Sequence, residues 1–383
     1  MDFSLSDEQR LLRDTVREYV AREVMPEAGK LDGAGEFPAR AVRGLAEMGL
    51  LGMTIPESYG GAGLDSLSAA MAIEEIARGS ASLAVTVSVT NSVCAGPIAR
   101  FGTEDQRRRY LPRLAKGEIL GGFSLTEPDS GSDAAHLRAR ARRAGDFYLL
   151  DGDKAWVTNV EVGHLFVLIA ATDPASGARG LTAFLVEKSF PGFAFGKIED
   201  KMGLRSSLTG GIQLQECRVP VSNRLGEEGQ GFKIAMATLD GARIGIGAQA
   251  VGIARGALEE SLAFARQRKA FGQSISRFQA IQFMLADMAT AIEAARLLVQ
   301  RAAHLRDRGD VPTTAEASKA KLFATEMVNR VAYQAVQIHG ACGYSREYPV
   351  ERYFRDARVT TIYEGTSEIQ RLVIARKLLE SCS

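Results

Sequence analysis

The chain has 383 residues, of which 46% are apolar, and this length is enough for two or three domains with sizeable cores. Its formal net charge of +1 gives no overall reason to expect nucleic acid or an anionic membrane as a partner. The longest apolar runs are too short to span a bilayer, and no signal-peptide pattern opens the chain. The four cysteines and four histidines are scattered without metal-ligand spacing, so we expect a soluble, cytoplasmic protein with no metal site.

The first part of the chain is predicted to be helical. A capping-box pattern at Ser6 and Gln9 opens an amphipathic helix, which Pro26 and Gly29 end. Further helices are expected over residues 38–49, 65–79, 81–100 and 103–117. We therefore assign residues 1–121 to an N-terminal α-helical domain.

Near residue 121 the pattern changes to the period of a β-strand. Leu137, Ala139 and Ala141 alternate with arginines, which is typical of a half-buried strand with one solvated face. Asp151 and Gly152 predict a tight hairpin turn. Other strand-like runs cover residues 165–171, 181–186, 193–198 and 211–214. Residues 122–226 are therefore expected to form a central β-barrel or sandwich domain.

Helical periodicity returns in the last part of the chain. Helices are predicted over residues 232–268, 278–308 and 315–339, with a last one after Glu364. Long helices with short joins favour an antiparallel four-helix bundle, so residues 227–383 complete an α+β multidomain fold. Residues 245–250 match a loose GxGxxG/A dinucleotide pattern. They lie inside a helical run, where small residues permit close packing, and a nicotinamide-binding role is rejected.

The stretch around Glu364 holds the strongest candidate for chemistry. Ile362 and Tyr363 offer a low-polarity wall, which raises the pKa of a carboxylate and makes it a better base. Gly365 permits a turn that presents the carboxylate inward, and Thr366 can cap the following helix. The alternative is a solvated loop residue, which the local pattern alone favours because glutamates are usually exposed.

Four other stretches carry polar and aromatic residues between the predicted elements: residues 123–133, 154–159, 268–279 and 337–343. Taken singly, each is explained by a turn, a core aromatic, an inter-helix loop or a glycine cap. Together with MTIPESYGG at 53–61 and IYEGTS at 362–367, in this order and spacing, they resemble the acyl-CoA dehydrogenase family. The resemblance covers essentially the whole chain and is closest to the short-chain, butyryl-CoA members.

The resemblance implies a homotetramer, a dimer of dimers, with FAD at the domain junctions. The residues implied to contact the flavin ring or its edge are Phe123, Leu125, Thr126, Trp156 and Thr158. Those implied to hold the pyrophosphate and adenosine, some across a subunit boundary, are Arg268, Phe271, Gln279, Gln337 and Ala341. Ser132 is expected near the flavin and the substrate, and Thr366 and Glu368 are expected to close over the cofactor. Ala341 stands where many members carry glycine, and its methyl group should be tolerable.

The resemblance also implies the reaction, which is α,β-dehydrogenation of a short-chain acyl-CoA thioester to a trans-2-enoyl-CoA. Glu364 takes the α-proton, the β-hydrogen leaves as hydride to flavin N5, and an electron-transferring flavoprotein accepts the electrons. The thioester oxygen is held by the backbone N–H at the base and by a ribityl hydroxyl of FAD. Some members carry the base on a bundle helix, but the matching Ala242 is no base. The residues implied to bind the substrate are Ser132, Asp240, Arg243, Gln249, Thr360, Tyr363 and Gly365.

Within that set, Asp240 and Arg243 are expected to grip CoA, while Gln249 and Thr360 form the floor of the acyl pocket. A bulky, polar Gln249 there favours four-carbon substrates, because a longer chain would leave it buried and unpaired. The alternative is that Gln249 only bonds a neighbouring helix. Other functions also stay open: a carrier-bound or branched acyl thioester as substrate, a flavin oxidase or monooxygenase on the same fold, or a non-catalytic scaffold.

Overall fold

The N-terminal part of the computed structural model is helical, and the structure as a whole describes residues 4–309 and 313–380. The capping boxes at Ser6 and Thr103 form as their sequence patterns predict. Two π-helical turns, Val20–Val24 and Thr90–Ala95, join α1 to α2 and α5 to α6. The helices are α1 (Asp7–Tyr19), α2 (Met25–Ala34), α3 (Ala39–Glu47), α4 (Ser66–Gly79), α5 (Ala81–Val89), α6 (Gly96–Phe101) and α7 (Glu104–Ala115).

The stretch from α5 to α6 is the most apolar part of this region. Within the described residues, it is the one helical stretch long and apolar enough to cross a membrane by length and composition alone. Of its apolar window, 89% is buried inside the protein, which is the placement of a core helix.

The middle of the chain forms one eight-stranded mixed sheet, in the order β6-β7-β3-β2-β4-β5-β8 with β1 parallel to β4. Strand β4 is buried along its whole length because both of its faces are covered. On one face of β4, Leu165 and Val167 pack with the helical residues Ile98 and Leu111. The side chains on its opposite face pack with residues of the other strands. The strands are β1 (Gly121–Ser124), β2 (Arg140–Ala144), β3 (Phe147–Thr158), β4 (Leu165–Ala171), β5 (Leu181–Glu187), β6 (Phe193–Ile198), β7 (Thr209–Pro220) and β8 (Arg224–Leu225).

The hairpin predicted at Asp151 and Gly152 is wrong, because β3 continues through both residues. The turn lies at Gly145 and Asp146, between the paired residues Ala144 and Phe147. Gly145 has a φ of 62°, a conformation that favours glycine. Gly152 is needed for a different reason: a Cβ atom there would lie 2.8 Å from the Cα atom of Ala139.

The C-terminal part is built on helix α8, which runs for 37 residues and packs against α4, α9 and α10. The glycines predicted to permit close packing do so, since a Cβ on Gly247 would lie 2.8 Å from Val299 Cγ2. A small hairpin of β9 (Lys269–Ala270) and β10 (Gln273–Ser274) joins α8 to α9. The helices are α8 (Gly231–Gln267), α9 (Gln279–Arg308), α10 (Thr314–His339), α11 (Val350–Arg358) and α12 (Ser367–Glu380).

Helix α11 is not among the predicted elements, because most of its residues are charged or polar. Val350, Tyr353 and Ala357 nevertheless form one buried face three to four residues apart. The predicted order of helical domain, β domain and helical domain is confirmed. The boundaries assigned at 121/122 and 226/227 stay predictions.

Candidate active site

The candidate base, Glu364, lies in the short segment between α11 and α12, here called the base loop (residues 359–366). Glu364 has a φ of 52° and Gly365 a φ of 93°, so two consecutive residues adopt left-handed conformations. Six non-glycine residues of the described chain have positive φ, and three of them, Trp156, Phe271 and Glu364, are predicted site residues. Backbone strain of this kind concentrates at functional sites, where the surrounding structure holds it in place.

The carboxylate of Glu364 is shielded from solvent but is not neutralised by a direct partner. Its Oε2 atom is buried, with no hydrogen-bond partner among the described residues. Burial raises the pKa of Glu364 to about 7, although the charges of Lys321 and Arg243 oppose the shift. Burial likewise raises the pKa of Tyr363 well above its usual value, which keeps the phenol neutral. A carboxylate that titrates near neutrality and is free to accept a proton suits a general base.

Three side chains donate hydrogen bonds to the backbone carbonyls of Glu364 and Gly365 in the base loop. Lys321 Nζ donates to the oxygen of Gly365 at 2.8 Å, and Gln370 Nε2 donates to the same oxygen at 2.9 Å. Gln370 also reaches the carbonyl of Glu364 at 3.3 Å, and Arg243 Nε reaches it at 3.4 Å. These contacts hold a strained turn in one conformation.

Sequence reasoning missed Lys321 and Gln370. A signal for Lys321 was present, because it lies on the apolar stripe of α10 between Ala317 and Ala324, where a charge is costly. No comparable signal marks Gln370, since a glutamine in the first turns of a helix is usually solvated.

Arg243 and Asp240 are neighbours one turn apart on α8. Arg243 Nη1 forms an ion pair with Asp240 Oδ1 at 2.7 Å, and Asp240 Oδ2 accepts from Thr314 Oγ1 at 2.6 Å. The Arg243 guanidinium is therefore engaged with protein groups, and the expected grip of this pair on CoA stays a prediction. Ala242, where some family members carry the base, is fully buried.

Gln249, beside the base loop, and Thr360, within it, are fully buried. Gln249 Nε2 donates to the carbonyl of Ala81 at 2.9 Å, and Tyr363 Oη donates to Gln249 Oε1 at 2.5 Å. Thr360 Oγ1 donates to the carbonyl of Ala357. Gln249 forms a hydrogen bond with a neighbouring helix, α5, as the alternative interpretation predicted. It also accepts a hydrogen bond from Tyr363, the residue before Glu364. Its role as pocket floor stays a prediction.

The residues expected at the flavin edge are brought together on β1 and β3. The N–H of Ala155 donates to the carbonyl of Thr126 at 2.9 Å, and Lys154 Nζ donates to the carbonyl of Leu125 at 3.1 Å. Lys154 also forms a buried ion pair with Glu127 at 2.7 Å. The segment that follows β1, with Leu125 and Thr126, is thereby fastened to β3, which carries Trp156 and Thr158.

Helix α5 connects the flavin-edge residues to the base loop. Asn159, next to Thr158, donates to the carbonyl of Thr86 at 3.3 Å, while Gln249 binds the first residue of the same helix. Phe123 packs on the helical core, whereas Ser132 lies exposed in the loop before β2. Thr366 caps α12 through Ile369 N at 3.3 Å, and Glu368 is exposed.

The residues expected at the pyrophosphate and adenosine form a second cluster, at the other end of α8. All of its members are exposed: Arg268, Phe271, Gln279, Gln337 and Ala341. The rings of Phe264 and His339, 4.2 Å apart, join the two segments that carry the cluster. Arg243 and Arg268 are 25 residues apart along the chain, which is about 37 Å at 1.5 Å per helical residue. Within one chain the second cluster is therefore well separated from Arg243 and the base loop.

The residues present fit FAD on their own geometry. The Trp156 side chain is 61% exposed and the Phe271 side chain 95% exposed, both on left-handed backbone. Large aromatics held outward in strained conformations are expected to be covered by a ligand or a partner. A flat aromatic ring with an anionic tail matches these aromatics and the guanidinium of Arg268.

The chain folds into helical, β and helical domains around a shielded carboxylate that has no hydrogen-bond partner among the described residues. These features define the class of protein. It is a multidomain enzyme that takes a proton near neutral pH, beside a site for a flat aromatic cofactor. Three family models match the chain in order. They are the acyl-CoA dehydrogenase N-terminal domain over residues 6–118, the middle domain over 122–217 and the C-terminal domain over 229–379. The chain belongs to the acyl-CoA dehydrogenase family, which is FAD-dependent.

Among similar proteins, the short-chain specific acyl-CoA dehydrogenase of Clostridium acetobutylicum is 46% identical over 378 residues, covering 99% of this chain and all of the relative. The structure of butyryl-CoA dehydrogenase from Megasphaera elsdenii is 44% identical, with a TM-score of 0.97, and the match covers 99% of this chain and all of that one. Another similar structure comes from work on the electron transferring flavoprotein of Acidaminococcus fermentans. This second solved structure is 46% identical with a TM-score of 0.97, over 99% of this chain and all of that one.

Proposed function

We propose that this protein is an FAD-dependent dehydrogenase that converts short-chain acyl-CoA thioesters to trans-2-enoyl-CoA. The observation that carries the proposal is the shielded carboxylate of Glu364, which has a raised pKa and no direct partner. It occurs in a chain that is 46% identical, over nearly its full length, to a short-chain specific relative.

Glu364 removes the α-proton of the thioester and carries it on its carboxylate. When bound, FAD supplies the acceptor for the β-hydrogen, which leaves as a hydride. The carbonyl oxygen of the thioester gains negative charge as the α-proton leaves, so a positioned donor lowers the barrier. We assign that donor to the N–H of Glu364, which has no acceptor in the described part of the chain. Lys321, Gln370 and Arg243 keep the loop in the conformation that presents both groups.

For the cofactor, we assign the flavin ring to the flavin-edge residues on β1 and β3, with Ser132, Thr366 and Glu368 closing around it. We assign the pyrophosphate and adenosine to the second cluster, at the C-terminal end of α8. Arg268 of the second cluster lies about 37 Å along α8 from Arg243 beside the base loop, and this separation supports the view that each cofactor is held by residues of two subunits. We therefore propose a homotetramer built as a dimer of dimers, and we place it in the cytoplasm.

The substrate assignment has two parts. We propose that Asp240, Arg243 and Ser132 contact CoA or the acyl thioester, with Tyr363 and Gly365 lining the reacting end. Gln249 and Thr360 form the floor of the acyl pocket. Gln249 is already bonded at both ends of its amide, so a longer chain would have to break those bonds to advance.

The electron acceptor in this proposal is an electron-transferring flavoprotein. Support comes from the similar structure that was described in work on such a flavoprotein. Rapid reoxidation of the reduced protein in air without that acceptor would instead identify an oxidase. Faster turnover of acyl groups on a carrier protein than on CoA would move the substrate to the carrier-bound class.

The test is anaerobic mixing of the FAD-loaded protein with butyryl-CoA, followed by the loss of flavin absorbance. Glu364→Gln keeps the shape of the side chain and removes the base, so flavin reduction should slow by about 10² to 10⁴. Glu293→Gln, a change of an exposed glutamate on α9, is the matched control. A Glu364→Gln variant that bleaches at the wild-type rate would exclude Glu364 as the base.

Chain length tests the pocket floor. We expect the highest kcat/KM with four-carbon substrates, less with six and little with eight or more, since each methylene left without room forfeits about 0.8 kcal/mol. Gln249→Gly should move the optimum to longer chains. A maximum at eight carbons or above in the unchanged protein, or no movement in the variant, would remove Gln249 from this role.

A further inference from the structure

Lys321 is a buried lysine that helps to hold the base loop, but the proposed reaction so far makes no use of its charge. It lies on α10 and is fully buried, among Ala317, Ala320 and Ala324 on the same helix face. A buried ammonium is costly, and such groups are kept where a specific partner needs the charge. The acceptor of Lys321 within the described residues is the carbonyl of Gly365, at 2.8 Å.

That carbonyl belongs to the residue that follows Glu364. Because the peptide group is planar, fixing the Gly365 carbonyl fixes the Gly365–Thr366 peptide plane and so limits how Gly365 turns in its left-handed conformation. Gln370 binds the same oxygen, but it is neutral and can only orient the loop. Lys321 adds a positive charge at the same point.

The positive charge of Lys321 changes the pKa of Glu364. Among the charges near Glu364, that of Lys321 lowers its pKa most, ahead of that of Arg243. Burial lowers the pKa of Lys321 itself to about 8, while Glu364 opposes the shift, so the lysine is mostly protonated at neutral pH. The charged or titratable groups around the pair are Asp240 and Arg243 on α8, Glu326 on α10, Asp356 on α11, Tyr363 in the base loop and Glu368 on α12.

We propose that Lys321 is a positioning residue for the dehydrogenation, which holds the Gly365 carbonyl and faces the carboxylate of Glu364 with a buried positive charge. It touches neither substrate nor cofactor in this role and acts only through the base loop. The inference rests on the proposed function, because it assigns Lys321 to the reaction that Glu364 performs. It predicts that removing the charge changes the pH at which the base becomes active.

The sign follows from the ionisation of Glu364, which must be deprotonated to take a proton. Activity therefore rises with pH through the pKa of the base, and kcat/KM reports that pKa for the free, FAD-loaded enzyme. Lys321→Met removes a charge that lowers this pKa, so the acid limb of kcat/KM should move upward by roughly one pH unit. Lys321→Arg retains the charge and should return the limb toward its wild-type position.

The experiment measures kcat and KM for butyryl-CoA across pH in FAD-loaded wild type, Lys321→Met, Lys321→Arg and Lys319→Met. Lys319 is the matched control, two residues away on α10, half-exposed and bonded to Glu316 rather than to the base loop. We expect lower kcat and a shifted limb only in Lys321→Met, with KM little changed. If that variant does not yield folded, FAD-loaded protein, Lys321→Gln removes the charge while keeping a polar end and undergoes the same measurement.

An acid limb that stays in place in the charge-removing variant, with only thermal stability lowered, would overturn the proposal and leave Lys321 a structural residue. That result is distinct from failure of the proposed function. In the latter case wild-type protein would not reduce its flavin with acyl-CoA at all.

Discussion

Two glutamates with shielded carboxylate oxygens, Glu75 on α4 and Glu364 in the base loop, have opposite surroundings in this fold. Glu75 is 1% exposed and is bound by two arginines, with Arg255 Nη1 at 2.8 Å and Arg17 Nη2 at 2.9 Å from its Oε1 atom. Arg255 Nη2 also donates to Glu75 Oε2. Glu364 has an Oε2 atom that is equally shielded but has no such partner.

The two pKa values show what the difference does. Burial raises the pKa of Glu75, but the hydrogen bonds from Arg255 and Arg17 outweigh it, and the net pKa is lowered. At Glu364 burial dominates, and the pKa rises to about 7. The chain thus neutralises a buried carboxylate that joins helices and leaves the carboxylate of the candidate base without such a partner among the described residues. If Glu364 is the base that we propose, stability is given up there for reactivity.

The largest stability effect should come from breaking the Glu75 pair. Glu75→Gln removes the buried carboxylate that Arg255 and Arg17 share, leaving Arg255 with Glu74 and Glu259, and should lower the free energy of unfolding by about 3 kcal/mol. Since a lowered pKa stabilises the fold above the unfolded pKa and that gain disappears as pH falls through the folded pKa, the loss should shrink in acid. Denaturant titrations near neutral and acidic pH measure the loss of stability and its decrease in acid.

Glu259→Gln is the control for that change, because Glu259 is 42% exposed and also pairs with Arg78 and Arg255. A loss no larger in Glu75→Gln than in this control would mean that the Glu75 pairing is not what stabilises the helices.

The next largest effect should be a gain in the free energy of unfolding rather than a loss. Glu364 has a raised pKa, so its favourable contribution is present below the unfolded pKa and disappears as pH rises through about 7. Glu364→Gln has no charge to bury, so above that pH it should be more stable than wild type by up to about 3 kcal/mol. Unfolding of the FAD-loaded proteins in denaturant, from acidic to alkaline pH, measures the difference. Equal stability at every pH would mean that the carboxylate is hydrated in solution.

The smallest effect should come from Gln370, which orients the base loop without carrying charge. Gln370→Leu removes its bonds to the carbonyls of Glu364 and Gly365 and should lower stability by about 1 to 2 kcal/mol. Because the base then moves more freely, kcat should fall while KM changes little. Arg371→Gln, at an exposed neighbour, is the control. An unchanged kcat would show that Lys321 and Arg243 are enough to hold the loop.

The sequence alone determined the order of domains and marked Glu364 as the candidate base. Strand β4 and the long helices were predicted within one or two residues, because their periodicity is uninterrupted over many residues. The family resemblance is confirmed, since short motifs recur at fixed spacing along the whole chain. Glu364 stood out only through that resemblance, because its local pattern is also that of a solvated loop.

The tertiary structure decided what depends on contacts between distant residues. Gly152 looked like a turn residue, and only the approach of Ala139 shows that it is a close-packing residue. Helix α11 is too polar to be recognised until its three buried apolar residues pack against the bundle. Lys321 is 43 residues before Glu364 along the chain, and no local pattern joins them. The ionisation of a carboxylate depends on burial and nearby charge, so the contrast between Glu75 and Glu364 exists only in the folded protein.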